Sequence, residues 1–368
     1  MGKLLYLIRH AKSWTVLVPA LALIALGLSW GRELPGALVA VLALLLAGAV
    51  LAAVHHAEVI AHRVGEPFGS LLLAVAVTVI EVALIVSLMI SGGEHTATLA
   101  RDTVFAAIMI TCNGIVGLSL LAVTLKRRTA AFNAEGTGKA LATVVTLSTL
   151  SLVLPSFTTS ARGPAFSDAQ LGFAAVVSLA LYALFVVTQT IRHRDYFLPV
   201  ARDGESFDPE GHAPRPSGRT ALASLVLLLV ALVSVVGLAK VESPVIEAAV
   251  SSAGLPQAVV GVVIALLVLL PETIAAVRAA RRDQVQISLN LALGSAMASI
   301  GLTIPAIAVA SIWLDGPLLL GLGGTHLVLF ALTALVSTLT VVPGRATLMQ
   351  SGVHLVLFAA FLFLAVSP

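Results

Sequence analysis

About eleven apolar runs of helix-crossing length follow one another through this 368-residue chain, separated by short polar breaks. They lie near 14–30, 35–54, 67–91, 104–125, 140–160, 169–191, 219–238, 257–277, 286–312, 317–341 and 349–366. A bilayer core takes about 20 consecutive apolar residues per helix. Charged residues make up 11% of the chain and hydrophobic ones 59%, whereas soluble domains carry about 25% charged residues. A water-soluble core cannot hide that much apolar surface. The pattern predicts an all-α polytopic membrane protein of about 11 transmembrane helices. The lone Cys112 excludes an intrachain disulfide and reads as a small packing residue.

Lysine and arginine set the orientation. Seventeen of the 21 basic residues fall in alternate breaks that begin with the N-terminal tail, from Lys3, Arg9 and Lys12 through Arg278, Arg281, Arg282 and Arg345. Only Arg32, Arg101, Arg162 and Lys240 fall on the other side. The N-terminus is therefore expected inside and, with an odd helix count, the C-terminus outside. MGKLLYLIRHAKSW lacks a small-residue cleavage site and reads as a retained cytoplasmic tail. The basic balance suits anionic lipid headgroups, so the expected partner is the bilayer and not nucleic acid. Abundant Ala, Val and Arg with little Lys points to a GC-rich bacterial source, hence the cytoplasmic (inner) membrane.

The one long hydrophilic break, RHRDYFLPVARDGESFDPEGHAPRPSGR, is rich in Pro, Gly and mixed charge and reads as a flexible linker. Its acids Asp203, Glu205, Asp208 and Glu210 offer a regulatory or cation-collecting role as the alternative. The chain thus divides into residues 1–34 (tail and first helix), 35–191, a linker at 192–218, and 219–368. Five spans precede the linker, leaving the first helix aside, and five follow it. Glu81 lies in the second span of the first five, in AVAVTVIEVALIVSL, and Glu272 in the second span of the other five, in VVIALLVLLPETIAAV. Each span is entered through Pro and Gly. Each is followed one helix later by a small polar patch, Thr111-Cys112-Asn113-Gly114 or Gly294-Ser295-Ala296 with Ser299 beyond. The basic-residue count runs the two glutamate helices in opposite directions. One N-terminal helix plus two inverted five-helix repeats is the expected architecture, an arrangement of secondary transporters.

A carboxylate at mid-bilayer costs about 2.5–3.5 kcal/mol on insertion scales, so each glutamate is a functional candidate. An inverted repeat is expected to bring residues of equal depth face to face near the midplane. Two such carboxylates cannot both stay ionised without a cation, and either a divalent cation or protons can satisfy them. That competition is the minimal chemistry of a cation/proton antiporter. A hard cation such as Ca²⁺ takes about 6–8 oxygens, so other ligands are needed. Thr78, one turn before Glu81, Thr111, Asn113, Gly294, Ser295 and Ser299 are the candidates for ligation or lining. Pro271 and the glycines at 114, 117, 294 and 301 can free carbonyls or admit close helix approach. Structural hydrogen bonding across helices is the alternative for every one of these polar residues.

His55, His56, Glu58 and His62 recur at helical spacing in HHAEVIAHR and are candidates for pH sensing or transition-metal binding, with interfacial solvation as the alternative. Glu66 at the membrane edge is a candidate cation guide, and Glu94, Asp102, Glu242 and Glu247 read as outer loop charges. An intramembrane hydrolase lacks support: no Gly-x-Gly-Asp, His-Glu-x-x-His or Gly-x-Ser-x-Gly occurs. A channel would need a continuous polar file, and these helices offer one carboxylate each.

The stretches GEPFGSLLLAVAVTVIEVALIVSLMISGG, LARDTVFAAIMITCNGIVGLSLL and PETIAAVRAARRDQVQISLNLALGSAMASIGLTIPAIAV resemble the bacterial calcium/sodium–proton antiporters of the cation/calcium exchanger superfamily. The resemblance covers both five-span segments. It implies eleven helices, a first helix outside the repeats, and one essential glutamate in the third and the eighth, matched by Glu81 and Glu272. Thr111 to Gly114 and Gly294 to Ser299 match the family's central polar positions. Cys112-Asn113-Gly114 departs from the Gly-Ser or Gly-Asn that often opens the first of these motifs, and the linker lacks the strongly acidic helix of many relatives. The implied activity is export of Ca²⁺ in exchange for H⁺, with no cofactor, and with Na⁺(K⁺)/H⁺ exchange as the runner-up.

Overall fold

The computed structural model describes residues 2–32, 35–65, 68–92, 96–198, 216–313 and 316–368. The linker expected at 192–218 lies mostly outside them, as do Glu66 and Glu94. The helices are α1 (Gly2–Ser29), α2 (Gly36–Val64), α3 (Phe68–Gly92), α4 (Leu99–Met109), α5 (Val116–Thr124), α6 (Ala134–Ser148), α7 (Asp168–Val187), α8 (Gly218–Ser252), α9 (Ala258–Arg281), α10 (Val285–Ala310), α11 (Gly324–Val341) and α12 (Leu348–Val366). A π-helical segment, Ile110–Ile115, joins α4 to α5 into one continuous span. Among the described residues ten helices are long and apolar enough to cross a membrane, and Trp14–Ser29 adds a shorter apolar one.

Helix ends follow from local chemistry. Asn133 caps α6 by accepting from the Gly136 N–H at 3.0 Å. Ser167 and Gln170 form a reciprocal capping box at the start of α7. Two boundaries differ from the sequence reading. α8 continues to Ser252 through Pro244, because a proline removes one backbone bond without ending a helix held by its neighbours. α11 begins at Gly324, not near 317. The preceding non-helical segment instead spends its backbone donors on other parts of the chain, with Leu319 N–H to Ala97 O (3.0 Å), Gly321 N–H to Pro164 O (2.8 Å) and Leu322 N–H to Leu152 O (2.9 Å).

The chain forms two compact units. In one, α8 packs along α2, with α1 and α3 against the same pair. Its buried face includes Leu42, Leu46, Ala49, Ala53, Ala231 and Val235. The small residues let α2 and α8 approach closely, as apolar helices in lipid require. The second unit holds α4 to α7 and α9 to α12. Its most enclosed span is α4, the π segment and α5, which packs against α9, α10 and α12. A two-residue antiparallel bridge, Ala130–Ala131 (β1) with Arg345–Ala346 (β2), ties the loop after α5 to the loop before α12. Large apolar side chains such as Phe173, Val176 and Leu184 on α7 are exposed, as expected where the outer face meets lipid.

Candidate functional site

In the first unit, α3 carries Glu81 just past its midpoint. Thr78, Glu81, Ile85 and Leu88 recur at helical spacing and are all buried, the Glu81 side chain being only 4% exposed. Thr78 thus shares the buried face of the carboxylate, as its spacing predicts. In the second unit, Glu272 lies just past the midpoint of α9 and is half-buried. Pro271 precedes it and lacks the N–H that would close a helical bond to the carbonyl of Leu267. The site residues therefore divide, with Thr78 and Glu81 in one unit and Glu272, Thr111, Asn113, Gly294, Ser295 and Ser299 in the other.

The polar patch Thr111-Cys112-Asn113-Gly114 coincides with the π-helical segment, where the Val116 N–H reaches back to the Thr111 carbonyl. Single π turns insert one residue and re-aim the side chains beyond, and they concentrate at functional sites. Here the segment packs against α9, α10, α11 and α12, which places it beside both the Glu272 helix and the Gly294–Ser299 helix. Thr111 is fully buried, and its hydroxyl donates to its own helix, to Ala107 O at 2.7 Å and Ile108 O at 3.1 Å. Asn113 is equally buried. Its Nδ2 donates to Thr333 Oγ1 on α11 at 2.9 Å, and its Oδ1 lies 3.1 Å from His354 Nδ1 on α12. The His354 Nε2 lies 3.1 Å from Thr340 Oγ1. In the neutral tautomer with Nδ1–H donating to the amide oxygen, Nε2 accepts from the threonine hydroxyl. Both ends of the Asn113 amide are thereby committed to helix–helix bonds.

Glycine permits this approach. A Cβ at Gly117 would meet Leu355 Cγ at 2.9 Å and His354 Cβ at 3.2 Å, so α12 can lie close to α5 only with glycine there. On α10, by contrast, a Cβ at Gly294 would meet nothing within 4 Å among the described residues. Ser295 beside it is half-buried and Ser299 buried. Gly294 therefore borders open space and is not a packing contact.

Within the histidine cluster, His56 departs from the face that the spacing of His55, Glu58 and His62 defines. His56 turns inward at 4% exposure, its Nε2 2.9 Å from Thr15 O on α1 and its Nδ1 3.3 Å from Ser224 Oγ on α8. His55 and Glu58 are half-buried and His62 is exposed. Among the described residues no group of three or more His, Cys, Asp or Glu is placed to hold a metal ion. Asp102 and Glu242 were expected in outer loops but lie inside helices, at 5% and 1% exposure. Arg101 makes the burial of Asp102 tolerable, with its Nε and a terminal nitrogen each 2.8 Å from Oδ1 and a further bond to Gly321 O at 3.2 Å. Thr98 donates to the other oxygen at 2.8 Å.

Two segments of the chain, 34–191 and 223–367, match the sodium/calcium exchanger protein family, and each contains one of the two mid-helix glutamates. The chain belongs to this family. It is 45% identical to y4hA of Sinorhizobium fredii over 362 residues, 98% of this chain and 97% of that one. It is 35% identical to the sodium-potassium/proton antiporter ChaA of Escherichia coli over 359 residues, 96% of each. Among solved structures, the H⁺/Ca²⁺ exchanger CAX superposes with a TM-score of 0.71 at 18% identity, covering 96% of this chain and 88% of that one. Native YfkE superposes with a TM-score of 0.70 at 16% identity, covering 97% and 99%. At those identities the likeness is one of fold. This exchanger is a multi-pass membrane protein and a cation antiporter, a transporter and not an enzyme.

Proposed function

We propose that the chain exports Ca²⁺ across a bacterial inner membrane in exchange for protons, with Glu81 and Glu272 each binding cation and proton in competition. The observation that carries this reading is the placement of one carboxylate just past the middle of one membrane helix in each family-matched segment. At about 1.5 Å of rise per residue, mid-helix is mid-membrane. There an anion is tolerated only with a counter-charge, and a proton or a cation each supplies it. Two carboxylates carry the charge that neutralises one Ca²⁺ or two protons. Beside Glu81 we assign Thr78 to cation binding, and beside Glu272, in the other unit, Ser295, Ser299 and the Leu267 carbonyl released by Pro271, with Gly294 as lining. Asn113 and Thr111, whose groups are engaged internally, position the π segment. The lysine and arginine distribution puts the N-terminus in the cytoplasm and the C-terminus outside.

A second reading, Na⁺ or K⁺ in exchange for H⁺ with little Ca²⁺ transport, is favoured by the full-length likeness to ChaA. Collapse of a preformed proton gradient in everted vesicles, with Ca²⁺, Na⁺ and K⁺ added separately, distinguishes the two. Either Glu81→Gln or Glu272→Gln is expected to abolish exchange of whichever ion works. Wild-type exchange by both single variants would remove these glutamates from the mechanism.

A further inference from the structure

The C-terminal ends of α5 and α9 flank a solvent-open hollow of about 290 Å³. Lys126 and Arg127 line it from the turn after α5, and Arg281 and Arg282 line it from the end of α9. The one acidic side chain in the lining is Asp283. Arg127 is paired to Asp283 at 2.7 Å, and Lys126 Nζ reaches the Arg281 carbonyl at 3.4 Å. Among the described lining residues four cations thus meet one carboxylate, a surplus of three positive charges around one concave space. Asp283 adopts φ 67°, a left-handed conformation uncommon for a residue with a Cβ. This turn folds the chain back so that both arginines stay at the rim while the Asp283 N–H bonds Ala280 O at 2.9 Å.

Helix C-termini favour cations through their dipoles, and cytoplasmic breaks favour lysine and arginine. Both effects are met by separate, solvated side chains and call for no cavity. Here two different helices each contribute two cations to one hollow. Both helices are membrane spans, so the hollow lies at headgroup depth. Leu125, 69% exposed, stands next to Lys126 as an apolar flank.

We propose that this cavity binds a phosphate-bearing anion, held by Arg281 and Arg282 from α9 and by Lys126 and Arg127 from the α5 turn. Arginine forks match phosphate oxygens in pairs, and basic pockets at the cytoplasmic ends of membrane helices accept anionic headgroups. The volume holds a phosphodiester and part of its headgroup. Arg281 is nine residues beyond Glu272 on the same helix, about 13 Å along its axis. A bound anion would therefore fix the end of the helix that carries a transport carboxylate against α5. The phosphate can come from an anionic phospholipid or from free phosphate in the cytoplasm.

The test uses the full chain in nanodiscs of phosphatidylcholine alone, the same nanodiscs with added inorganic phosphate, and nanodiscs containing phosphatidylglycerol. Hydrogen exchange at residues 124–128 and 280–284 is the readout. Protection by phosphatidylglycerol, with affinity about 30-fold weaker in Arg281→Gln/Arg282→Gln and similarly weakened in Lys126→Gln/Arg127→Gln, supports a lipid headgroup. Protection by inorganic phosphate without phosphatidylglycerol, lost in the same variants, supports a soluble phosphate. Arg192→Gln/Arg345→Gln, outside the cavity, is expected to behave as wild type. No protection by either anion, the same response from wild type and both cavity variants, or equal loss in the outside control would each overturn the proposal.

Discussion

Replacing His354 by leucine tests whether the Asn113 amide is held by its helix neighbours. Leucine keeps the side-chain bulk against Gly117 and removes the polar contacts, the 3.1 Å approach to Asn113 Oδ1 and the 3.1 Å approach to Thr340 Oγ1, together with the contact of the ring with the Cys112 backbone. Hydrogen bonds between membrane helices average about 0.6 kcal/mol and reach about 1.7, while orphaning a buried polar atom costs about 1–3 kcal/mol. The two ends of the relay differ in which applies. Thr340 lines a cavity of about 20 Å³ together with Ser337 and His354, room for one water that would replace the lost partner. Asn113 is 0% exposed, so its oxygen stays orphaned. The expected loss is about 2 kcal/mol, mostly at Asn113. His354→Asn, whose amide nitrogen takes the place of Nδ1, is expected to lose less than about 1 kcal/mol. Unfolding in mixed detergent micelles followed by tryptophan fluorescence measures these values, and a cycle with Asn113→Ala isolates the pair. We expect a coupling of about 1–1.5 kcal/mol. A coupling within about 0.3 kcal/mol of zero would mean that the observed contacts do not fix the amide, and the assignment of Asn113 to positioning would fall.

Two glycines make a contrasting pair. Gly117→Ala is expected to lower stability by about 1–3 kcal/mol, because its Cβ would meet Leu355 at 2.9 Å. Gly294→Ala is expected to melt as wild type and yet raise the cation concentration for half-maximal exchange, and an unchanged value would take Gly294 off the cation path. Arg101→Leu leaves Asp102 buried without its cation and is expected to cost about 3–5 kcal/mol. Adding Asp102→Asn is expected to restore most of that loss in the same unfolding assay, and a double variant no better than the single would show that the pair's charges are not the source.

The helices were legible because an apolar run of bilayer length has few alternatives in lipid, where backbone groups must be satisfied within the segment. The packing units were not. α8 follows the linker in sequence yet packs with α1, α2 and α3, and small residues such as Ala49, Ala53 and Ala231 signal close approach without naming the partner. The π turn was also invisible: ITCNGI has the apolar balance of an ordinary helix, and only its cluster of polar groups hinted at a special place. Sequence order likewise misled for Asp102 and Glu242, assigned to loops because charges usually end a span. Arg101 beside Asp102 was readable as a compensating charge, and the helix that buries Glu242 runs on through Pro244 to Ser252.

The same reasoning that selected Glu81 would have selected His354, which stands in an equally apolar run, SGVHLVLF. What separates the two is the demand each places on its surroundings. A neutral histidine has one donor and one acceptor, and Asn113 and Thr340 meet both, so it can be satisfied wholly within the protein. An ionised carboxylate has about four acceptor sites and a full charge, so its demand is for charge as well as for hydrogen-bond donors. A polar residue in an apolar run therefore announces only that a partner is required. Where side-chain amides, hydroxyls and imidazoles suffice, the residue joins helices together. A carboxylate at mid-membrane can in addition exchange a proton for a cation, which an amide or a neutral imidazole cannot, and this is why Glu81 and Glu272, and not Asn113 or His354, are the residues we assign to the transported ions.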